Sequence, residues 1–229
     1  MAATSKKTQK RVDLTQKKFQ DLLAELKEQY VNRDREFEAI ISAIIAKEHV
    51  CLLGPPGTAK SHCSRAVANA LGATADNGDY FEIAVFKATT PDEIVGSIDL
   101  VRLKNEGVMK RNTQGFLPTA RIAFIDEIFK SNAASLNQML AITNERVFHN
   151  CGEVQEAPLE SMIAASNELP ESDDLKAFYD RILVRLWIDW CTDEDDMKRI
   201  MFGAEPKVTK SVTQDELKIA RQSVESFVA

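Results

Sequence analysis

Gly54-Pro-Pro-Gly-Thr-Ala-Lys-Ser61 is the stretch that decides how this chain is read. It follows the phosphate-loop pattern G-x-x-x-x-G-K-[ST] except at Ala59, where the pattern has glycine. Such a loop points backbone N–H groups at an anion from a helix N-terminus, and the helix dipole adds to the attraction. Lys60 then meets the terminal phosphates, and the Ser61 hydroxyl reaches a divalent cation. Alanine fits if Ala59 takes ordinary helical dihedrals and Gly57 supplies the tight turn. The same residues alone would also suit a glycine-proline turn with a surface lysine, so the flanking sequence has to decide.

Both flanks favour the phosphate loop. His49–Leu53 is a short apolar run suited to a buried strand, and Ser61–Leu71 is helical, closed by Gly72 as a left-handed cap. Further on, Ile122–Ile125 is an apolar strand ending in Asp126-Glu127. At a strand terminus Asp126 can hold Mg²⁺ through its water shell, and Glu127 can polarise a water for in-line attack on a γ-phosphate. Met162–Ala165 is a third strand, ending in Ser166-Asn167. Asn167 can bond both that water and a γ-phosphate oxygen, although Ser-Asn after a strand is also ordinary turn chemistry.

The rest of the chain supplies the layers around these strands. Phe19, Leu22, Leu23, Leu26 and Tyr30 recur at helical spacing, and after a break at Val31–Asp34 so do Phe37, Ile40, Ile41, Ile44 and Ile45. Tyr80–Val85 and Ile182–Ile188 read as strands, Ala133–Asn144 as a helix, and 193–202 and 213–228 as amphipathic helices. Two hairpins are expected. In residues 98–114, Leu100–Leu103 and Val108–Arg111 flank Asn105-Glu106-Gly107, and in 147–158 the turn is Asn150-Cys-Gly152. Alternating strands and helices predict an α/β fold with a parallel sheet covered on both faces.

Composition narrows the function classes. The 229 residues are 44% apolar and 28% charged, close to globular averages, which argues against wholesale disorder. The net charge of −6 is the wrong sign for a nucleic-acid domain, although residues 1–18 carry six basic residues against one acid. Most simply, that arm is a solvated terminus. The N-terminus lacks a secretory apolar core, and no apolar run is long enough to span a membrane, so a cytoplasmic protein is expected. Cys51, Cys63, Cys151 and Cys191 show no paired spacing, and with three scattered histidines they build no metal-site pattern.

GPPGTAKS, IAFIDEIFKSN, LNQMLAITNERVFHN, IAASNELPE and LKAFYDRILVRLWID, in that order, resemble the MoxR group of AAA+ ATPases, most of all its RavA (regulatory ATPase variant A) branch. Alanine before the loop lysine is normal in that group. The resemblance implies a P-loop NTPase sheet with a helix-2 insert (98–114), a pre-sensor 1 hairpin (147–158) and a helical lid. It divides the chain into a basic arm and N-terminal helix (1–30), an ATPase core (31–190) and a partial lid (191–229). ATP and Mg²⁺ are the implied cofactors. Gly54, Pro55, Pro56, Gly57, Thr58, Ala59, Lys60, Ser61 and His62 are the implied nucleotide contacts, with Ser61 and Asp126 toward the metal. Glu127, Asn167 and Arg181 are the implied catalytic residues, Arg181 as a finger reaching a neighbour's site and Arg185 and Arg146 as rivals. Arg221 is available as a second sensor, though no motif marks it. The implied activity is ATP hydrolysis in a ring, most simply a hexamer, that remodels a protein client or a von Willebrand factor A-type partner. A nucleotide-gated assembly protein and a nucleic-acid motor are the alternative classes, and no membrane partner is expected.

Overall fold

The computed structural model describes the backbone of residues 2–228 and the side chains of residues 9–226. In chain order the elements are α1 (Ala2–Gln29), α2 (Asp34–Ala46), β1 (Val50–Leu53), α3 (Lys60–Ala70), β2 (Tyr80–Ala84), α4 (Pro91–Val95), α5 (Leu100–Glu106), β3 (Ile122–Asp126), α6 (Ala133–Glu145), β4 (Val147–Asn150), β5 (Glu153–Glu156), β6 (Ser161–Ser166), α7 (Asp173–Asp180), β7 (Val184–Trp187), α8 (Glu194–Phe202) and α9 (Gln214–Val228).

Five strands form one parallel sheet in the order β2-β3-β6-β1-β7, and β4 and β5 form a separate antiparallel hairpin. Strand side chains alternate between two cores, as the period of two demands. Val50, Leu52, Ile122, Phe124, Ile163 and Ala165 pack with α1, α2 and α3. Cys51, Leu53, Ala123, Ile125, Met162 and Ala164 pack on the other face with α4 and α6. Burial on both faces is why these strands read as continuous apolar runs. In β1, register with β6 and β7 runs from Val50 opposite Ile163 and Val184 to Leu53 opposite Ser166 and Trp187. The C-terminal ends of β1 and β6 are therefore level where the phosphate loop begins.

The helices begin and end where their local chemistry dictates. Thr90 and Glu93 form a capping box on α4. Asn132, Ser172 and Asp193 each accept a first-turn N–H with a side-chain oxygen, starting α6, α7 and α8. α2 stops at Lys47 and α6 at Arg146, both left-handed at φ 58° and 57°.

The 147–158 hairpin is present, but 98–114 is not a hairpin. Leu100–Glu106 is helical because the Asp99 carboxylate accepts from Arg102 N at 2.9 Å, Arg102 pairs with Glu106 at 2.9 Å, and Gly107 closes the helix at φ +69°. Asn105-Glu106-Gly107 is thus a helix C-terminus, and strand-like pairing persists in one antiparallel bridge, Ile98–Arg111. The insert and the hairpin interlock. Arg111 N donates to Asn150 Oδ1 at 2.8 Å, Asn150 Nδ2 donates to Arg111 O at 3.3 Å, and Lys110 pairs with Glu153 at 2.6 Å.

The two C-terminal helices take different places. α8 borders the crevice at the C-terminal edge of the sheet. α9 instead lies on α1 and α2, with Leu217 and the preceding Val212 inside the first core cluster and Lys18 paired to Glu216.

Candidate active site

A crevice of about 590 Å³ opens at the C-terminal ends of β1, β3 and β6, where open α/β sheets bind ligands. One wall is Pro56–His62, the floor is Asp126, Glu127 and Asn167, and the mouth is formed by Gln29–Val31 and α8.

The loop is held from both sides. Gly54 has φ +147°, and a Cβ there would lie 2.0 Å from Ile188 O, so no other residue fits. Gly54 N donates to Ser166 O at 3.1 Å, tying the loop to β6. Thr58 Oγ1 donates to Pro55 O at 3.0 Å. Arg33, buried before α2, donates through Nε to Thr58 O at 3.0 Å and through Nη2 to Asp189 O at 3.2 Å. One guanidinium thereby joins the start of α2, the loop and the end of β7. Its partners lie 25 and 156 residues away, and no local pattern announces them.

Ala59 does not have the helical dihedrals expected of it. At φ 64° and ψ 24° it occupies the left-handed region, which costs an L-residue roughly 1–2 kcal/mol. The turn therefore needs positive φ at both Gly57 and Ala59. Glu127 is also left-handed, at φ 55°, so two strained residues flank the crevice.

The titratable groups converge. Lys60 Nζ donates to Gly54 O at 2.8 Å, Pro55 O at 2.9 Å and Asn167 Oδ1 at 3.0 Å. Asn167 Nδ2 donates to Glu127 Oε1 at 2.5 Å. Glu127 Oε2 is 3.1 Å from Lys130 Nζ, close enough for an ion pair but without hydrogen-bond alignment. Burial holds the Asp126 carboxyl above the usual carboxylate range, with the Glu127 charge adding to the effect and the Glu127 N–H opposing it. Burial also lowers the Lys60 pKa, opposed by Asp126 and Glu127. A bound cation beside Asp126, or a polyanion beside Lys60, would offset that desolvation.

Not every expected residue reaches the crevice. Ser61 and His62 line it, whereas Gly54 and Pro55 turn their carbonyls to Lys60. Arg181 is exposed, its Nη1 donating to Ala177 O at 2.7 Å, and it makes no ion pair with Asp180 or Asp173 among the described residues. Arg185 is occupied by Asp180 at 3.5 Å and by the Tyr179 ring at 4.1 Å. Arg146 and Arg221 lie at the opposite end of the sheet. Arg221 donates to Ile44 O, Ile45 O and Glu160, so it cannot serve as a second sensor in this arrangement. Two arginines line the crevice, the buried Arg33 and Arg199 of α8, and the sequence reading missed both; Arg199 makes its ion pair with Asp196 at 3.6 Å.

A parallel sheet with β1 inside, a phosphate loop after it and an acidic pair at the end of β3 defines the P-loop α/β class. The chain belongs to the family described as the MoxR domain in the MoxR-vWA-beta-propeller ternary systems, which matches residues 17–228. It is 40% identical over 200 residues to the uncharacterized protein MJ0079 of Methanocaldococcus jannaschii, covering 86% of this chain and 51% of that protein. It is 24% identical over 211 residues to Chaperone MoxR1 of Mycobacterium tuberculosis, covering 89% of this chain and 54% of that one. The chain thus spans about half the length of these relatives. A crystal structure described as a candidate ATPase from Cytophaga hutchinsonii shares the fold, with a TM-score of 0.76 at 16% identity, covering 97% of this chain and 67% of that one. No helix among the described residues is long and apolar enough to cross a membrane.

Proposed function

We propose that the protein hydrolyses ATP with Mg²⁺ and uses the cycle to remodel or activate a protein partner. The observation that carries this reading is the convergence of Lys60, Glu127 and Asn167 from three strand ends on one crevice. Gly57–Ser61 cradle the phosphates and Lys60 binds the terminal ones. Asn167 orients the attacking water, and Glu127 takes its proton. Ser61 and Asp126 would hold the metal, which supplies positive charge against the phosphate oxygens. The burial that raises the Asp126 pKa fits such a role, because a bound cation would offset the cost of the buried charge.

The finer parts of the proposal rest on the family. They are the division into 1–30, 31–190 and 191–229, the RavA branch, a hexameric ring with Arg181 acting in trans, a cytoplasmic location and a von Willebrand factor A-type partner. The family's description names such ternary systems, which supports the last of these.

Phosphate release is the test. Wild type should turn over ATP only with Mg²⁺, Lys60→Ala should lose nucleotide binding, and Glu127→Gln should bind ATP while turnover falls about 10²-fold or more. Wild-type turnover no faster than that of Lys60→Ala would overturn hydrolysis and leave a nucleotide-gated binder, and equal, measurable turnover in wild type and Glu127→Gln would remove Glu127 from the reaction. A Glu127→Gln protein loaded with ATP is also the bait for a client.

A further inference from the structure

At the opposite end of the sheet from the phosphate loop lies a cavity of about 460 Å³, bounded by the end of α2, the segment leading into β6 and α9. Its wall carries four cations, Lys47, Arg146, Lys218 and Arg221, against two carboxylates, Glu160 and Glu225. Glu160 is already engaged: Oε2 accepts from Arg121 at 2.9 Å and Oε1 from Arg221 at 3.1 Å.

Helix capping explains part of this cluster. Arg221 bonds the last carbonyls of α2, and Arg146 Nη2 donates to Lys47 O at 2.7 Å. It does not explain the charge balance. Arg146 Nη1 is buried without a hydrogen-bond partner, and no carboxylate lies within ion-pair distance of Arg146, Lys47 or Lys218 among the described residues. Burial lowers the Arg146 pKa, the Glu48 charge opposes it, and the Arg221 charge adds a smaller push in the same direction as burial. A half-buried guanidinium with one N–H unbonded and no carboxylate in ion-pair contact is costly, and an anion entering the cavity would relieve it.

We propose that this cavity is a binding site for an oxyanion, a phosphate or carboxylate group, held in the field of Arg146 and Arg221 and contacted by Lys218 and Lys47. The remainder of the ligand rests on Pro158 and Leu159. The site shares no residue with the crevice and does not depend on ATP hydrolysis.

The phosphate loop would itself take phosphate, so the test uses the full chain carrying Lys60→Ala. Calorimetric titration with inorganic phosphate, then with succinate at matched ionic strength, should show one anion bound per chain. Adding the exposed substitution Lys218→Glu should weaken binding about tenfold or more. Arg146→Met should do the same wherever circular dichroism shows it folded. Tighter phosphate binding assigns a phosphoryl group, and tighter succinate binding a carboxylate. No binding of either anion, or unchanged affinity in Lys218→Glu, overturns the proposal however Arg146→Met folds.

Discussion

Asn167 holds Glu127 by a hydrogen bond of 2.5 Å from its amide nitrogen, while its amide oxygen accepts from Lys60 at 3.0 Å. One side chain thus sets the distance between Lys60, proposed to bind the terminal phosphates, and Glu127, proposed to activate water. Asn167→Ala should leave ATP binding within a few-fold, because the loop donors and Lys60 remain. Turnover should fall roughly 10–10²-fold, since the water loses an orienting partner and Glu127 its anchor. Binding of a fluorescent ATP analogue measured beside phosphate release separates the two effects. A loss of binding equal to the loss of turnover would make Asn167 a structural part of the loop.

Ala59 carries strain that glycine would relieve. Glycine adopts φ +64° freely but adds conformational entropy to the unfolded chain. The balance favours Ala59→Gly by about 0.5–1 kcal/mol. Urea unfolding without nucleotide is the measurement, and a lower midpoint for Ala59→Gly would refute the strain argument.

The three inner strands β1, β3 and β6 were legible because burial on both faces leaves apolar runs, and the two acids after Ile125 and the Ser-Asn after Ala165 mark strand ends. The edge strands β2 and β7 were legible from their aromatic and branched residues despite Glu82 and Arg185. Leu100–Leu103 misled because three apolar residues in four suit either period. The signals that settle it as helix, Asp99 as cap and Gly107 as stop, lie at its edges. Arg33 and Arg199 were invisible for a different reason. Arg33 acts through carbonyls distant in sequence, and Arg199 through the position of α8 over the crevice, so neither leaves a local pattern. The placement of α9 on α1 rests equally on long-range packing, through Leu217 and Val212.

His49 makes the fold acid-sensitive. Its Nδ1 accepts from Met162 N at 3.0 Å and its Nε2 faces Thr143 O at 3.0 Å, which fixes a neutral ring protonated at Nε2. Burial lowers its pKa from 6.5 to about 4. The folded value lies below the unfolded one, so the unfolded chain takes up the proton first as pH falls. The contribution to stability is complete above about pH 6.5, declines down to about pH 4 and is flat below. Between pH 7 and 4.5 the loss should be on the order of 2–3 kcal/mol. His49→Gln, which retains a donor and an acceptor, should lack this increment in urea unfolding. Identical pH slopes for the two proteins would remove His49 as the cause.

Arg199 brings positive charge to the crevice from α8, balanced by Asp196 at 3.6 Å. Arg199→Ala should weaken ATP binding about three- to tenfold, a modest effect because the side chain is exposed. Asp196→Ala should hold or improve affinity by freeing the guanidinium. If both variants weaken binding alike, the pair serves to place α8 and does not touch the nucleotide.

Arg181 closes α7 directly before β7, so a fixed element carries it to the surface. Of the three arginines weighed for a role in trans, Arg185 is held by Asp180 and the Tyr179 ring, and Arg146 sits at the far end of the sheet. Among the described residues the Arg181 side chain makes one hydrogen bond, to Ala177 O, and can reorient at little cost. Set against a neighbour's γ-phosphoryl, such a group is worth roughly 10³–10⁵ in turnover. Arg181→Ala should therefore bind ATP normally and hydrolyse it very slowly. Lys60→Ala should be inactive for the opposite reason, because its own loop is disabled while its Arg181 is intact. Mixing the two should restore partial phosphate release at interfaces that join the good loop of one chain to the good arginine of the other. The readout is activity against mixing ratio, with co-assembly verified by light scattering. A mixture that assembles but stays inactive shifts the role to Arg185, and full activity of Arg181→Ala alone removes Arg181 from the site.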